Sequence, residues 1–379
     1  MPPRVSAAAL KPLAALTREI VSIPTGSFNE RRVHAALARF AADRGLAYRE
    51  DASGNGLIEY KRGRKTRPLV LGAHTDHPGF VVTEVKGRRL GLEFRGGVSA
   101  EYGRGEAVRI YGADGAIGTA RITSIGTNAA PNRWARRIAG AHATLEAGST
   151  AAAGDLALWD VPECRITGPL VEARQCDDLI GVVSILWTLE MLVRQQVDAH
   201  VIGLFTRAEE VGLVGAAAAA VGGLLPRDGL IVAVECSSAA GGRAEQGGGP
   251  IIRVGDIGHI FSPRMSMWMT QVAREMQAAD PAFIFQRKLM DGGTTEATAY
   301  DLMGYETGAA CVALGNYHNM GADRRIEAET VHLGDIDGLA RLFVGMAQNT
   351  RRVEEVHKAA QKRWAGIGKD AAARLRAGR

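Results

Sequence analysis

The sequence predicts an α/β protein in which a mostly parallel sheet is covered by helices and interrupted by an inserted small all-β domain. Two observations carry this. The runs PLVLGAH (68–74), HVIGLFT (200–206), GLIVAVE (229–235) and AACVALG (309–315) are apolar along their length, as strands covered on both faces must be, and helical stretches lie between them. From Lys86 to about Leu170 the texture changes to short alternating segments (RLGLEF, AVRIYG, GTARITSI, DLALWD) split by Gly and Asp. Residues 1–85 and 171–350 therefore read as one discontinuous α/β domain, 86–170 as the inserted, β-barrel-like domain, and 351–379 as a basic C-terminal tail.

Taken in order, residues 5–50 read as two helices joined by SIPTGSFNE. The first, in MPPRVSAAALKPLAALTREI, is interrupted by Lys11, Arg18 and Glu19, which reads as an amphipathic helix rather than a signal peptide. Ser27 followed by Glu30 is a capping-box pattern opening the second helix, with Val33, Leu37 and Phe40 at helical spacing. GNGLIEY (54–60) is a strand. Asp178 to Arg194 is an amphipathic helix carrying Ile180, Val183, Leu186, Trp187, Leu189 and Leu192. LVGAAAAAV (213–221) is a helix whose small residues permit close packing, and helix 265–279 carries a core stripe of Met265, Trp268, Met269, Val272 and Met276. A last helix starts near 334.

Composition narrows the class. Of the 379 residues, 46% are hydrophobic and 23% charged, which fits a globular chain with a sizeable core. No apolar run is long enough for a membrane span. Cys164, Cys176, Cys236 and Cys311 form no CxxC pair, which points to a reducing, cytoplasmic setting. The net charge of +5 comes roughly from the tail after Arg351, where Lys and Arg outnumber Asp and Glu. That tail holds a single aromatic, Trp364, and no interleaved set for stacking, so a solvated helix is expected there, with neither a nucleic acid nor a membrane as partner.

Five segments carry the chemistry: AHTDHPG (73–79), CDD (176–178), RAEEVG (207–212), VEC (234–236) and YHN (317–319). Each places Asp, Glu or His near the end of an apolar run, and ligands of α/β sheets gather beyond the carboxyl ends of strands. His74 and Asp76 share one side of an extended segment, so Asp76 can accept the spare ring N–H of a metal-bound His74. Asp177 alone reads as a helix N-cap. In the set, it reads as a short, stiff carboxylate bridging two cations, with Asp178 left for the cap. Glu209 and Glu210 would repel each other unless cations lay between, one serving as ligand and the other as base. Glu235 ends an apolar strand and must be paired, protonated or metal-bound. His318 follows AACVALGNY. Histidines mixed with carboxylates suit Zn²⁺, with Co²⁺ or Mn²⁺ as alternatives. Two such ions polarise a carbonyl and supply hydroxide at neutral pH, the chemistry of peptide hydrolysis. The other histidines read as structural or surface, with His77 as a neighbour of the site. No P-loop, dinucleotide fingerprint or GxSxG elbow is present.

These segments resemble metallopeptidase family 42, the tetrahedral-particle aminopeptidases, over residues 10 to about 345. AHTDHPGFVV is similar to that family's AHxDExGFMV, and FTRAEEVGLVGA to FTxxEEVGLxGA, the most specific of the motifs. ARQCDDLIGV is similar to its LDDRxG segment, GLEFRGGVSAEYGRGEAVRIYG to the start of its inserted β-domain, and MDGGTTEATAY to its GGTDA loop. The resemblance implies a zinc-exopeptidase-like fold and two divalent ions per subunit. His74, Asp177 and Glu235 would hold one ion, and Asp177, Glu210 and His318 the other. Glu209 would be the general base and Asp76 would orient His74. It further implies short peptide substrates and a dimer-based homo-oligomer, up to a dodecamer, with 86–170 contributing contacts. The chain departs from the family at Leu179, where an arginine is usual, at Thr295 and Glu296 in the GGTDA loop, and at the Asn after His318. Competing expectations are a same-clan carboxypeptidase, deacylase or amidohydrolase, and a non-catalytic metal-binding scaffold, against which the intact Glu209 argues.

Overall fold

The computed structural model describes residues 10–63, 67–128, 136–242 and 244–378; the start of the first expected helix and the last residue of the tail lie outside them. The fold is mixed α/β around an eight-stranded sheet. Its strands run, edge to edge, Ala47–Glu50, Gly56–Lys61, His200–Thr206, Leu69–His74, Leu230–Ser238, Glu306–Leu314, Ile251–Arg253 and Gln286–Lys288. The third to sixth strands are parallel, and they are the four apolar runs of the sequence. The first two strands, and Ile251–Arg253 against Glu306–Leu314, pair antiparallel, so the edges are mixed. Register sets the site: His74 lies beside Thr206 at one strand end. Glu235 lies beside Cys311, and its strand continues three residues past the expected end, because Ser238 still pairs with Leu314.

Helix Leu179–Gln195 starts at Asp178, whose carboxylate accepts the Gly181 amide at 3.1 Å. It is not amphipathic as expected: Ser184, Thr188 and Glu190 are also buried, and the helix packs against helices Lys11–Val21 and Leu333–Gln348. Helix Pro263–Ala279 begins with a Ser262 cap and Pro263 in its first turn, as helix starts favour. Its Met265, Trp268, Met269 and Val272 are buried in the main core, each side chain stabilising the fold by about 1.5–3 kcal/mol. In helix Val214–Val221 only a hydrogen fits at Gly215, since a Cβ there would stand 2.5 Å from the Arg207 backbone.

The expected capping box is absent. Ser27 Oγ donates instead to Asp76 Oδ2 at 2.6 Å, and Glu30 accepts from Arg207 Nε at 2.9 Å and from the Ala208 amide at 3.0 Å. Helix Arg31–Ala42 starts without a side-chain cap, because both capping residues are engaged by the loop that carries Glu209 and by its partner Asp76.

Six antiparallel strands close into a barrel in the order Gly79–Lys86, Arg89–Arg95, Ile138–Leu145, Gly115–Thr127, Ala107–Gly112, Leu156–Trp159. Phe80 fills its interior, edge-on to Phe94 and Trp159 at ring separations of 4.7 and 5.1 Å. The chain leaves the barrel through Cys164–Thr167 and Leu170–Ala173, which join Glu329–His332 in a three-stranded sheet. The tail is the helix Arg352–Ala377. Among the described residues no helix is long and apolar enough to cross a membrane.

Candidate metal centre

The five segments converge on one cleft beyond the central parallel strands. His74 Nε2 lies 3.5 Å from Asp177 Oδ1 and 3.9 Å from Glu209 Oε2. His318 Nε2 lies 3.6 Å from Asp177 Oδ2 and 3.3 Å from Glu210 Oε1. Donor atoms of His74, Asp177 and Glu235 lie within 4.8 Å of one another, and so do those of Asp177, Glu210 and His318. Asp177 belongs to both groups, and its two oxygens face different histidines.

Burial makes the arrangement expensive without cations. His74, Asp177, Glu235 and His318 are each less than a tenth exposed. Burial, reinforced by Glu210, Glu235 and Asp76, pushes the Glu209 carboxyl well above its ordinary value, against the pull of His74. Burial likewise pushes Glu235 up to about 8, opposed by His74 and seconded by Asp177. For His318 burial works against the charged ring, but Glu210 and Asp177 outweigh it and raise the ring to about 9. Among the described residues, Asp177 Oδ1 and Glu210 Oε1 are buried acceptors with no hydrogen-bond donor. Two orphaned carboxylate oxygens beside imidazole nitrogens fit a divalent ion of the Zn²⁺, Co²⁺ or Mn²⁺ kind.

A second set of residues holds these groups in place. His74 Nδ1 is 3.1 Å from the Asp76 carbonyl and 3.4 Å from its carboxylate. That carboxylate also accepts the amides of Glu209 at 3.0 Å and Glu210 at 3.2 Å, so Asp76 sets the glutamate pair as well as the histidine. His77 bonds the Asp177 carbonyl through Nδ1 and faces Asn319 Oδ1 at 3.1 Å. Ala208, His318 and Asn319 have φ of 54°, 56° and 62°, a left-handed backbone that costs about 1–2 kcal/mol per non-glycine residue. Hydrogen bonds hold it: Ala208 N to Glu30, and His318 N to Glu329 Oε1 at 2.8 Å.

The sequence reading missed Glu329. Its other oxygen accepts the Cys176 and Asp177 amides at 2.8 and 3.0 Å, so one fully buried carboxylate fixes the main chain of both Asp177 and His318. In EAETVH nothing separates Glu329 from the neighbouring Glu327, which is exposed.

A sequence profile of the M42 glutamyl aminopeptidase family matches residues 54–342. The chain belongs to this family. It is a metal-dependent aminopeptidase, a hydrolase. Solved structures share its fold. The TET1 peptidase of Pyrococcus horikoshii, which can assemble into a tetrahedron or a large octahedral shell, is 24% identical, with 88% of this chain and 99% of that one covered and a TM-score of 0.71. An aminopeptidase of the archaeon Desulfurococcus kamchatkensis is 21% identical, over 91% and 97% of the two chains, at a TM-score of 0.75. The TET aminopeptidase of the marine sediment archaeon Thaumarchaeota archaeon SCGC AB-539-E09 is 19% identical, over 91% and 100%, at 0.76. Among curated proteins none matches the chain.

The cavity of this M42 chain, about 150 Å³, is lined by the candidate ligands and also by Ser237, Arg253, Met290 and Gly292–Thr295. Arg253 is 4% exposed. Its guanidinium donates to Ser237 Oγ and the Met290 carbonyl, both at 2.9 Å, while its Nε–H has no acceptor among the described residues. Sequence reading passed over Arg253, because an arginine in a three-residue strand carries no signal of burial.

Proposed function

We propose that this aminopeptidase removes single N-terminal residues from short peptides with two divalent cations. His74, Asp177 and Glu235 hold one, and Asp177, Glu210 and His318 the other. The observation that carries this reading is Asp177, whose two oxygens face His74 and His318 at 3.5 and 3.6 Å while one of them has no donor. When bound, the cations, Zn²⁺ or else Co²⁺ or Mn²⁺, would polarise the scissile carbonyl and make water acidic. Glu209 is the general base. It takes the proton of the attacking water and delivers it to the leaving amine. Asp76 keeps His74 and both glutamate amides aligned for that transfer.

The small cavity supports trimming of one residue at a time. Arg253 supports an acidic residue at that position, in line with the family's glutamyl description: a buried guanidinium with a spare N–H gains most from a substrate carboxylate. The barrel supports the reading of an inserted domain, and the tetrahedral or octahedral assembly of the Pyrococcus peptidase, with the dodecamer of another solved structure, supports a homo-oligomer, which we read as dimer-based and up to a dodecamer. Four free cysteines support a cytoplasmic setting. The test is a panel of aminoacyl-p-nitroanilides and N-acyl amino acids, with Zn²⁺, Co²⁺ or Mn²⁺ returned to stripped enzyme. Release from Glu and Asp anilides ahead of Leu and Lys, with N-acyl amino acids untouched, is expected. Turnover of N-acyl substrates alone would overturn the aminopeptidase assignment, and a preference for Leu or Lys would overturn the role of Arg253.

A further inference from the structure

The helix Arg352–Ala377 lies past residue 342, where the family profile ends. Solved relatives matched over 97–100% of their own chains cover only 88–91% of this one, so the chain carries parts that they lack. The first turns of the helix are tied to helix Pro263–Ala279. Val353 is fully buried, Arg352 pairs with Glu275 at 2.6 Å, and Arg264 pairs with Glu354. Farther on the helix is free of the body, with Trp364 69% and Leu375 74% exposed.

Between the two helices lies a groove of about 710 Å³, which shares no lining residue with the metal centre and is of a size that takes small organic ligands. Four arginines line it, Arg274 and Arg287 from the body and Arg352 and Arg363 from the added helix, against one lining acid, Glu355. Glu275 neutralises Arg352. Arg274, Arg287 and Arg363 make no ion pair among the described residues. Ser266, 4% exposed, forms part of the floor between the two helices. Three guanidinium groups without an ion pair thus face the groove, and their planar forks match phosphate oxygens. Apolar Met267 and Val356 on the walls suit a carbon skeleton between charges.

We infer that this groove binds an organic anion through its phosphate groups, free in solution or displayed as a lipid headgroup. In the second case Trp364, Ile367 and Leu375, exposed on the same helix, would meet the acyl boundary. The site is independent of the reading of the catalytic centre.

The test uses the metal-loaded, full-length enzyme. Fructose 1,6-bisphosphate is titrated by calorimetry, and phosphatidylglycerol and phosphatidylcholine vesicles are used in co-sedimentation. Binding of the bisphosphate, or of phosphatidylglycerol but not phosphatidylcholine vesicles, is expected, and it names the source of the phosphate. In an Arg274→Ala/Arg363→Ala variant that binding weakens about tenfold or more, the worth of losing charge-assisted hydrogen bonds, while peptidase turnover stays unchanged. Both side chains are exposed, so the variant keeps its fold; should it melt early, Arg363→Gln carries the same comparison. Failure of both probes to bind overturns the site, as does equal binding by the variant. Equally strong binding of a hexaglutamate peptide overturns the phosphate assignment.

Discussion

Glu209 and Glu210 share a side chain and an orienting partner in Asp76, yet they occupy different surroundings. Glu210 stands 3.3 Å from His318 with 5% of its side chain exposed, and Glu209 stands 3.9 Å from His74 with 13% exposed. The more accessible carboxyl suits proton transfer and the other suits ligation. Glu209→Gln keeps shape and polarity but cannot take a proton. It should hold its metal and fold normally while turnover falls roughly 10²–10⁴-fold. Asp177→Ala should lose metal from both positions together with activity. Elemental analysis beside steady-state kinetics reads both outcomes. Metal loss in Glu209→Gln would move that residue from base to ligand, and two metals retained in Asp177→Ala would remove the bridge. The residues of this site were legible because they cluster after apolar strands in a fixed order. Glu329 and Arg253 were not. One acts on backbone amides and the other is buried by tertiary packing, and neither property leaves a periodic or spaced trace in the chain.

Among the elements, the added helix is held to its neighbour by a pair that depends on pH. Glu275 is held down at about 2, chiefly by hydrogen bonds from Arg352 and then Gln271. A carboxyl depressed in the folded state contributes stability that is present above its ordinary value of about 4.5 and lost as pH falls toward its folded value of about 2. Both partners are 39% exposed, so solvent screening limits the contribution to about 1 kcal/mol or less. Wild type should therefore melt about 1 °C above Glu275→Gln at pH 7, and the gap should narrow progressively from pH 5 to pH 3. A gap that stays constant over that range counts against the pair. Strands and helices with a clear period were placed correctly by their sequence. The exceptions have a common cause in tertiary contacts: polar Ser184 and Thr188 are buried beside apolar neighbours, and Ser27 and Glu30 bond to distant Asp76 and Arg207 instead of to a helix end.

At the scale of the whole molecule, the proposal that 86–170 is an assembly module leads to a plain expectation. Light scattering at micromolar concentration should give a mass that is a multiple of the 40.2 kDa chain, and a monomer would remove the assembly proposal while leaving the chemistry intact. The change from apolar runs to short alternating segments made the barrel visible in the sequence. Its limits were harder to see, because Gly79–Lys86 continues directly from the loop bearing His74 and Asp76.

The three-stranded sheet bears on the order in which the molecule is made. Leu170–Ala173 pairs with Glu329–His332, about 160 residues later in the chain, and Glu329 is the group that pins the Asp177 main chain. During synthesis, His74, Asp177, Glu209, Glu210 and Glu235 all emerge before Glu329, which holds the main chain of Asp177 and His318, and His318 arrives just ahead of it. Contacts across so long a loop form late, after the local ones. On the proposed ligand set, a growing chain would lack the assembled centre until nearly all of its α/β fold had been translated, and so would have no site with which to cut its neighbours.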